Sequence, residues 1–328
     1  MPHFLPQLPA DAPRNRLSLA DWVVSPANPL TARVAVNRMW QELFGAGLVG
    51  TPADFGLMGQ RPSHPELLDW LAVDFRESGW DVKRFYKQLV MSATYRQSAD
   101  LTPVLLEKDP ANRLLARGPR FRMDAEMVRD TALAVSGLLV EEIGGPSVKP
   151  YQPAGVWESG AIAGTNTGIY KMDGGDALYR RSLYTFWKRI ALMPNMDAFD
   201  APARDSSCTR RNRSDTPLQA LVTMNDPQWL EASRCLAERV LRRGPGTEAR
   251  LDYLGRLVLG RTWRPREQSN LVETLEKFRQ AYAGDAAGAA KLVTLGQSRP
   301  DGRIPPTELA PWMLVANVAL NLDETLNK

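Results

Sequence analysis

A small polar residue followed by proline recurs in this sequence, each time ahead of a run in which apolar side chains return every three or four positions. That pattern confines the chain to a fold made of helices. Asn28-Pro29 stands before Leu30, Val34, Met39, Trp40, Leu43 and Phe44, with Gly45 after them. The polar side chain can accept a first-turn N–H, proline presets φ and has no N–H to leave unpaired, and glycine permits the stop. The spacing predicts a helix over 28–44. Ser63-His64-Pro65-Glu66 predicts a capping box, Ser63 as cap and Glu66 reaching back, ahead of Leu67, Leu68, Leu71 and Phe75. Asp81 predicts a helix burying Val82, Phe85, Leu89 and Val90. Asp109-Pro110 predicts a shorter one, and Asp124 one that buries Val128, Ala132, Val135 and Leu139. Thr216-Pro217 and Asp226-Pro227 open two more, the second carrying Leu230, Ala237, Val240 and Leu241 to Gly244. Leu251, Leu254, Leu257 and Val258 form another apolar stripe. Residues 265–283, and 307–321 capped by Thr307, complete the inventory.

Two stretches interrupt the helices. Residues 45–62 hold five glycines and two prolines and predict a loop carrying Asp54 and Arg61. Residues 144–178 are glycine-rich, include Tyr151-Gln152-Pro153, Trp157 and the run Gly164-Thr165-Asn166-Thr167-Gly168, and predict a long loop of the kind that is functional or disordered. The aromatic and β-branched residues from Arg180 to Arg189 then predict an extended strand. The expected fold is mainly α: a multi-helix globular domain with a long glycine-rich loop and one short strand region. It divides into an extended linker-like segment (1–13), an N-terminal helical half (14–143), a loop and strand insert (144–215) and a C-terminal helical half (216–328).

With 328 residues, 44% hydrophobic and 24% charged, the chain can bury a sizeable core. The net charge of +4 is not gathered into a basic run, which disfavours nucleic acid as a partner. Two cysteines, Cys208 and Cys235, cannot make a four-thiolate zinc site, and no Cys-x-x-Cys-His string exists to attach haem; one disulfide or two separate thiols both stay open. No apolar run approaches the roughly 18 residues of a membrane span, and no secretory leader opens the chain. The proline-rich start, Met1 to Pro9, reads as a linker leaving an upstream domain.

Several strings together resemble one family. They are Asn28-Pro29-Leu30-Thr31-Ala32-Arg33, Asn37-Arg38-Met39-Trp40, Asp54-Phe55-Gly56, Ser63 to Trp70, Ser92 to Ser98, Gly144-Gly145-Pro146-Ser147-Val148, Tyr151-Gln152-Pro153, Arg180 to Tyr184, Thr216 to Leu221 and Asn225-Asp226-Pro227. The chain resembles, from about residue 14 to its end, the domain-of-unknown-function family numbered fifteen fifty-three of planctomycetes and verrucomicrobia. The resemblance implies a domain that closes a large exported protein, at the periplasm or cell surface, with a cytochrome c module and a companion domain upstream as partners. Any haem would then lie on those domains, none in this chain. The resemblance brings no catalytic residues with it.

The residues themselves suggest where chemistry could sit. Only His3 and His64 are histidines, so His64, with Asp54 near it in sequence, is the candidate imidazole base or ligand. The alternative makes it a first-turn residue that holds the 45–62 loop. Arg180, Arg181, Arg189, Arg204, Arg210, Arg211 and Arg213 crowd one interval among Asp200, Asp205 and Asp215; such forks can bind an anionic polysaccharide or form an internal arginine–carboxylate network. Glu126 and Asp130 share a helix face, as paired acid–base groups or as partners of Arg122 or Arg129. Tyr151, Trp157, Tyr170 and Tyr179 can stack on sugar rings or pin the long loop to the core. The leading expectation is a binding or assembly module that recognises an anionic polysaccharide or a protein partner through Arg180, Arg181, Arg210, Arg211, Arg213, Tyr151 and Trp157. The alternative is a hydrolase or an electron-transfer-linked oxidoreductase acting on polysaccharide through His64 and Asp54.

Overall fold

The computed structural model describes residues 1, 3–159, 168–188 and 191–328, and over these the helix-start signals are only partly read as expected. The chain separates into two units, Met1–Phe121 and Arg122–Lys328. The first holds α1 (Arg16–Val24), α2 (Thr31–Phe44), α3 (Pro65–Glu77), α4 (Val82–Met91) and α5 (Pro103–Lys108). Helix α1 was not foreseen: Asn15 caps it by accepting the Ser18 N–H, but Ser18 is its one buried residue, so it has no apolar stripe to betray it. Helix α2 starts three residues later than expected because Asn28 folds a turn first, accepting the N–H groups of Leu30 and Thr31. It ends at Gly45, whose φ of +79° suits glycine and where a Cβ would stand 2.6 Å from the Phe121 ring. The capping box at α3 does not form. His64 takes the cap position without a side-chain bond, and the Ser63 hydroxyl is turned to the Leu48 carbonyl and the His64 ring. Asp81 does cap α4. Asp109 does not begin a helix: α5 ends just before it, opened by Thr102-Pro103, and its carboxylate folds a turn by accepting from the N–H groups of Arg113 and Leu114, both at 2.7 Å. Helices α2 and α3 face one another over Val36, Trp40, Leu68, Leu71 and Phe75, and Phe85 of α4 joins the same core.

The second unit holds α6 (Ala125–Ser136), α7 (Val156–Ser159), α8 (Pro194–Asp197), α9 (Pro217–Asn225), α10 (Pro227–Leu241), α11 (Thr247–Val258), α12 (Pro265–Ala283), α13 (Ala286–Val293), α14 (Pro306–Leu320) and α15 (Asp323–Leu326). At its centre is α14, apolar on nearly every side, as a helix must be when others surround it. Helices α10, α12 and α13 pack around it. It starts at Pro306, one residue before the expected cap, Thr307. Because α6 packs on α10, residues from 122 onward belong with the C-terminal helices.

Where a strand was expected over 180–189, the described residues 180–188 make two isolated bridges, Val140 to Arg180 and Val148 to Thr185, on either side of a short 3-10 turn at Ser182–Tyr184. Their backbone is claimed elsewhere. Asp130 accepts the Ser182 N–H, while Arg129 donates to the carbonyls of Leu178 and Arg180. Arg189 and the run 164–167 lie outside the described residues. Cys208 and Cys235 are separate thiols. Among the described residues no helix is long and apolar enough to cross a membrane.

Candidate functional site

The imidazole and carboxylate proposed for catalysis do not meet. Asp54 accepts the Gly56 N–H at 2.7 Å and so tightens its own turn, while His64 Nδ1 sits 3.0 Å from the Ser63 hydroxyl. Among the described residues no three His, Cys, Asp or Glu side chains gather as a metal site would require.

The arginines form, in the main, the internal network. Arg180 is 4% exposed, lies 3.9 Å over the Tyr184 ring, and donates to the carbonyls of Pro146, Glu142 and Gly144. Arg211 grips both oxygens of Glu126, at 2.5 and 3.1 Å, and Arg213 lies 3.6 Å from Asp124. Burial pushes the Glu126 carboxyl up, but the Arg211 guanidinium outweighs it and holds the group below its usual range. Arg204 stacks on Trp187. Arg181, 3.6 Å from Asp130, keeps more than half of its side chain in water, and Arg210 is exposed. Arg129, which the expected binding set did not include, is the anchor of the region. Fully buried, it donates to Gln228 Oε1, the Ser182 hydroxyl and the two carbonyls already named; burial lowers its pKa to about 10, and it stays charged at neutral pH.

The aromatic residues pin the long loop rather than line a platform. The Tyr151 hydroxyl donates to Glu231 Oε2 at 2.8 Å and accepts from the Gln297 N–H at 2.7 Å. Tyr179 donates to Glu231 Oε1, its own phenol pushed up to about 12 by burial and by that carboxylate. Ser298 adds its N–H to the same oxygen, and Arg234, buried beside it, holds Glu238 and the Ser298 carbonyl. Trp157 is 7% exposed and packs edge-on to Tyr170, with the Lys188 ammonium over its ring.

What stands outward is apolar. Helix α9 turns Gln219 and Thr223 into the protein, at 1% and 0% exposure, and leaves Leu218, Leu221 and Met224 at 62%, 56% and 49%. The inward polar groups are engaged except at one atom: Gln219 donates to the Ser214 carbonyl while its Oε1 has no partner among the described residues, the Thr223 hydroxyl lies 2.7 Å from Asn321 Oδ1, and Asn317 donates to the Thr223 carbonyl. The outward residues, three apart, form one stripe along the helix. A single exposed leucine means little, but an apolar stripe on a helix that buries Gln219 and Thr223 is a candidate interaction surface. Its signal was present in the sequence as Leu218, Leu221 and Met224 at helical spacing; the ordinary rule would have placed them inside.

No curated protein and no solved structure matches the chain. A family model described as "Protein of unknown function (DUF1553)" matches residues 15–275, well over half of it, and the chain belongs to that family.

Proposed function

We propose that the chain is a binding and assembly module, working within a larger exported protein, whose second unit docks a protein partner through the outer face of α9. The observation that carries this is the inverted helix: Leu218, Leu221 and Met224 in water over a buried Gln219 and Thr223. Burying one such side chain is worth about 1.5–3 kcal/mol, so the face forgoes several kcal/mol that a partner would recover. The pairing of Arg180, Arg211 and Arg213 within the unit moves the weight from an anionic polysaccharide toward a protein. A photo-crosslinking residue at Leu221, against one at exposed Val272 on α12, tests it in cells that make the protein natively. The reading expects a discrete adduct from Leu221 alone, and binding of the purified adduct partner that Leu218→Asp weakens at least tenfold. Equal labelling at both positions, or a purified partner indifferent to Leu218→Asp, would overturn it.

A further inference from the structure

The first unit contains a pocket of about 410 Å³ where the N-terminal segment and α1 meet the start of α2. That is within the range of small-molecule sites, which are mostly apolar with a few polar groups to fix orientation. Leu5 and Trp22 form one side, and Leu30, Val34 and Ala35 the other. The wall has its own fixings. The Trp22 indole donates to the Pro6 carbonyl at 2.6 Å, which holds the segment carrying Leu5 against α1. The polar groups facing the pocket from the α2 turn are already engaged: buried Asn28 donates to the Trp22 carbonyl and accepts from Leu30 and Thr31, and the Thr31 hydroxyl donates to the Val23 carbonyl. One lining group is different. Arg38 is exposed, and it makes no hydrogen bond or ion pair with the described residues.

An apolar pocket with an uncommitted guanidinium selects for a particular ligand. The walls favour a hydrocarbon chain, at about 0.8 kcal/mol for each buried methylene. A guanidinium fork matches a carboxylate and rejects a cation. We propose that this pocket binds an apolar monocarboxylate, a medium-chain fatty acid in chemical class, with the chain between Trp22 and Val34 and the carboxylate on Arg38. The site is independent of the α9 surface and of any partner there.

Isothermal titration of the full chain with decanoate, decanol and decyltrimethylammonium, each below its micelle concentration, tests the assignment. Decanoate should bind with one-to-one stoichiometry, the cationic amphiphile at least tenfold more weakly. Arg38→Gln, on the surface, should cost decanoate about tenfold, or about 1.4 kcal/mol, and leave decanol unchanged. Leu5→Asp, in the irregular segment, should repel decanoate through a second route. Equal binding of all three amphiphiles, or decanoate affinity indifferent to Arg38→Gln, would overturn the proposal, as would absence of binding at millimolar decanoate.

Discussion

Helices α9 and α10 are neighbours in sequence, begin with the same polar-proline signal, and put polar side chains inside, yet they differ in what covers their apolar side chains. In α10 the buried Glu231, Ser233, Arg234 and Glu238 are covered by other parts of the second unit: Tyr151 and Tyr179 from one side, the 297–301 segment from another. Its apolar residues, Leu236, Ala237 and Val240, are covered as well. In α9 the polar face is covered in the same manner, by Ser214, Asn317 and Asn321, while Leu218, Leu221 and Met224 stay exposed. The difference teaches that α10 is specified by its own unit, whereas the outer face of α9 is left uncovered by the described residues.

The comparison breaks most violently at Glu231. Replacing it with alanine strips the acceptor from two phenols and the Ser298 N–H and removes a carboxylate lying 3.9 Å from buried Arg234. Removing one partner of a buried charged cluster costs about 3–5 kcal/mol. Chemical denaturation should show that loss, and a value under about 1 kcal/mol would mean that α10 is not held as described.

Gly296 tests the same clamp from the opposite side. Its φ is +95°, and a Cβ there would lie 2.4 Å from the Glu231 carboxyl carbon. Gly296→Ala should cost about 1–3 kcal/mol from the backbone alone, with the clash in addition. In the Glu231→Ala background the contacts with the carboxyl carbon and Cγ are gone, and the one with Cβ, at 2.7 Å, remains. The double variant should then lose less than the sum of the two single losses, a coupling that a double-mutant cycle reads directly.

How much of this was visible beforehand follows from what is local. The cap-plus-proline starts of α9 and α10, and the span of α12, were legible because they depend on residues a turn apart; at α12, Glu267 accepts the Arg264 N–H just as a first-turn acid should. The misread starts show the limit of the same rule. Asp109 and Ser63 had the right chemistry for caps, but their oxygens were used by a turn and by a distant carbonyl. The site was less legible still. The bonds from Arg129 to the carbonyls of Leu178 and Arg180 span about fifty residues, and no periodicity announces a guanidinium that will replace a strand partner. The arginine cluster was visible as a cluster; its carboxylates, Asp124 and Glu126, lie on a helix some eighty residues earlier. The face of α9 was visible as a stripe, but not as an outer one.

Acid should separate the arginine network from a ligand-binding surface by a smaller effect. Glu126 is held below the ordinary range of a glutamate, so its charge contributes stability that is present above that range and is lost as pH falls through the lowered one. In Arg211→Ala the two strongest lowering influences on the carboxyl are gone, and burial is opposed only by a backbone N–H and by Arg204. The variant should therefore melt below the parent at pH 7, with the gap closing as the pH is taken toward 3. A gap independent of pH would mean that Arg211 contributes packing and not charge.

The smallest expected effect bears hardest on the comparison. Leu218→Ser and Leu221→Ser replace apolar groups that already stand in water, and surface changes of that kind stay within about 0.5 kcal/mol. Leu236→Ala in α10, at 0% exposure, should cost about 2–5 kcal/mol by the cavity it leaves. Thermal melts of the three variants would set the neighbouring helices side by side. If the two α9 serines destabilise the isolated chain as much as Leu236→Ala does, their leucines already have a surface to rest on and α9 is a finished helix like α10. If they leave the melt unchanged while Leu218→Ser abolishes the crosslink from position 221, the outer face of α9 contributes nothing to folding and exists for what binds there.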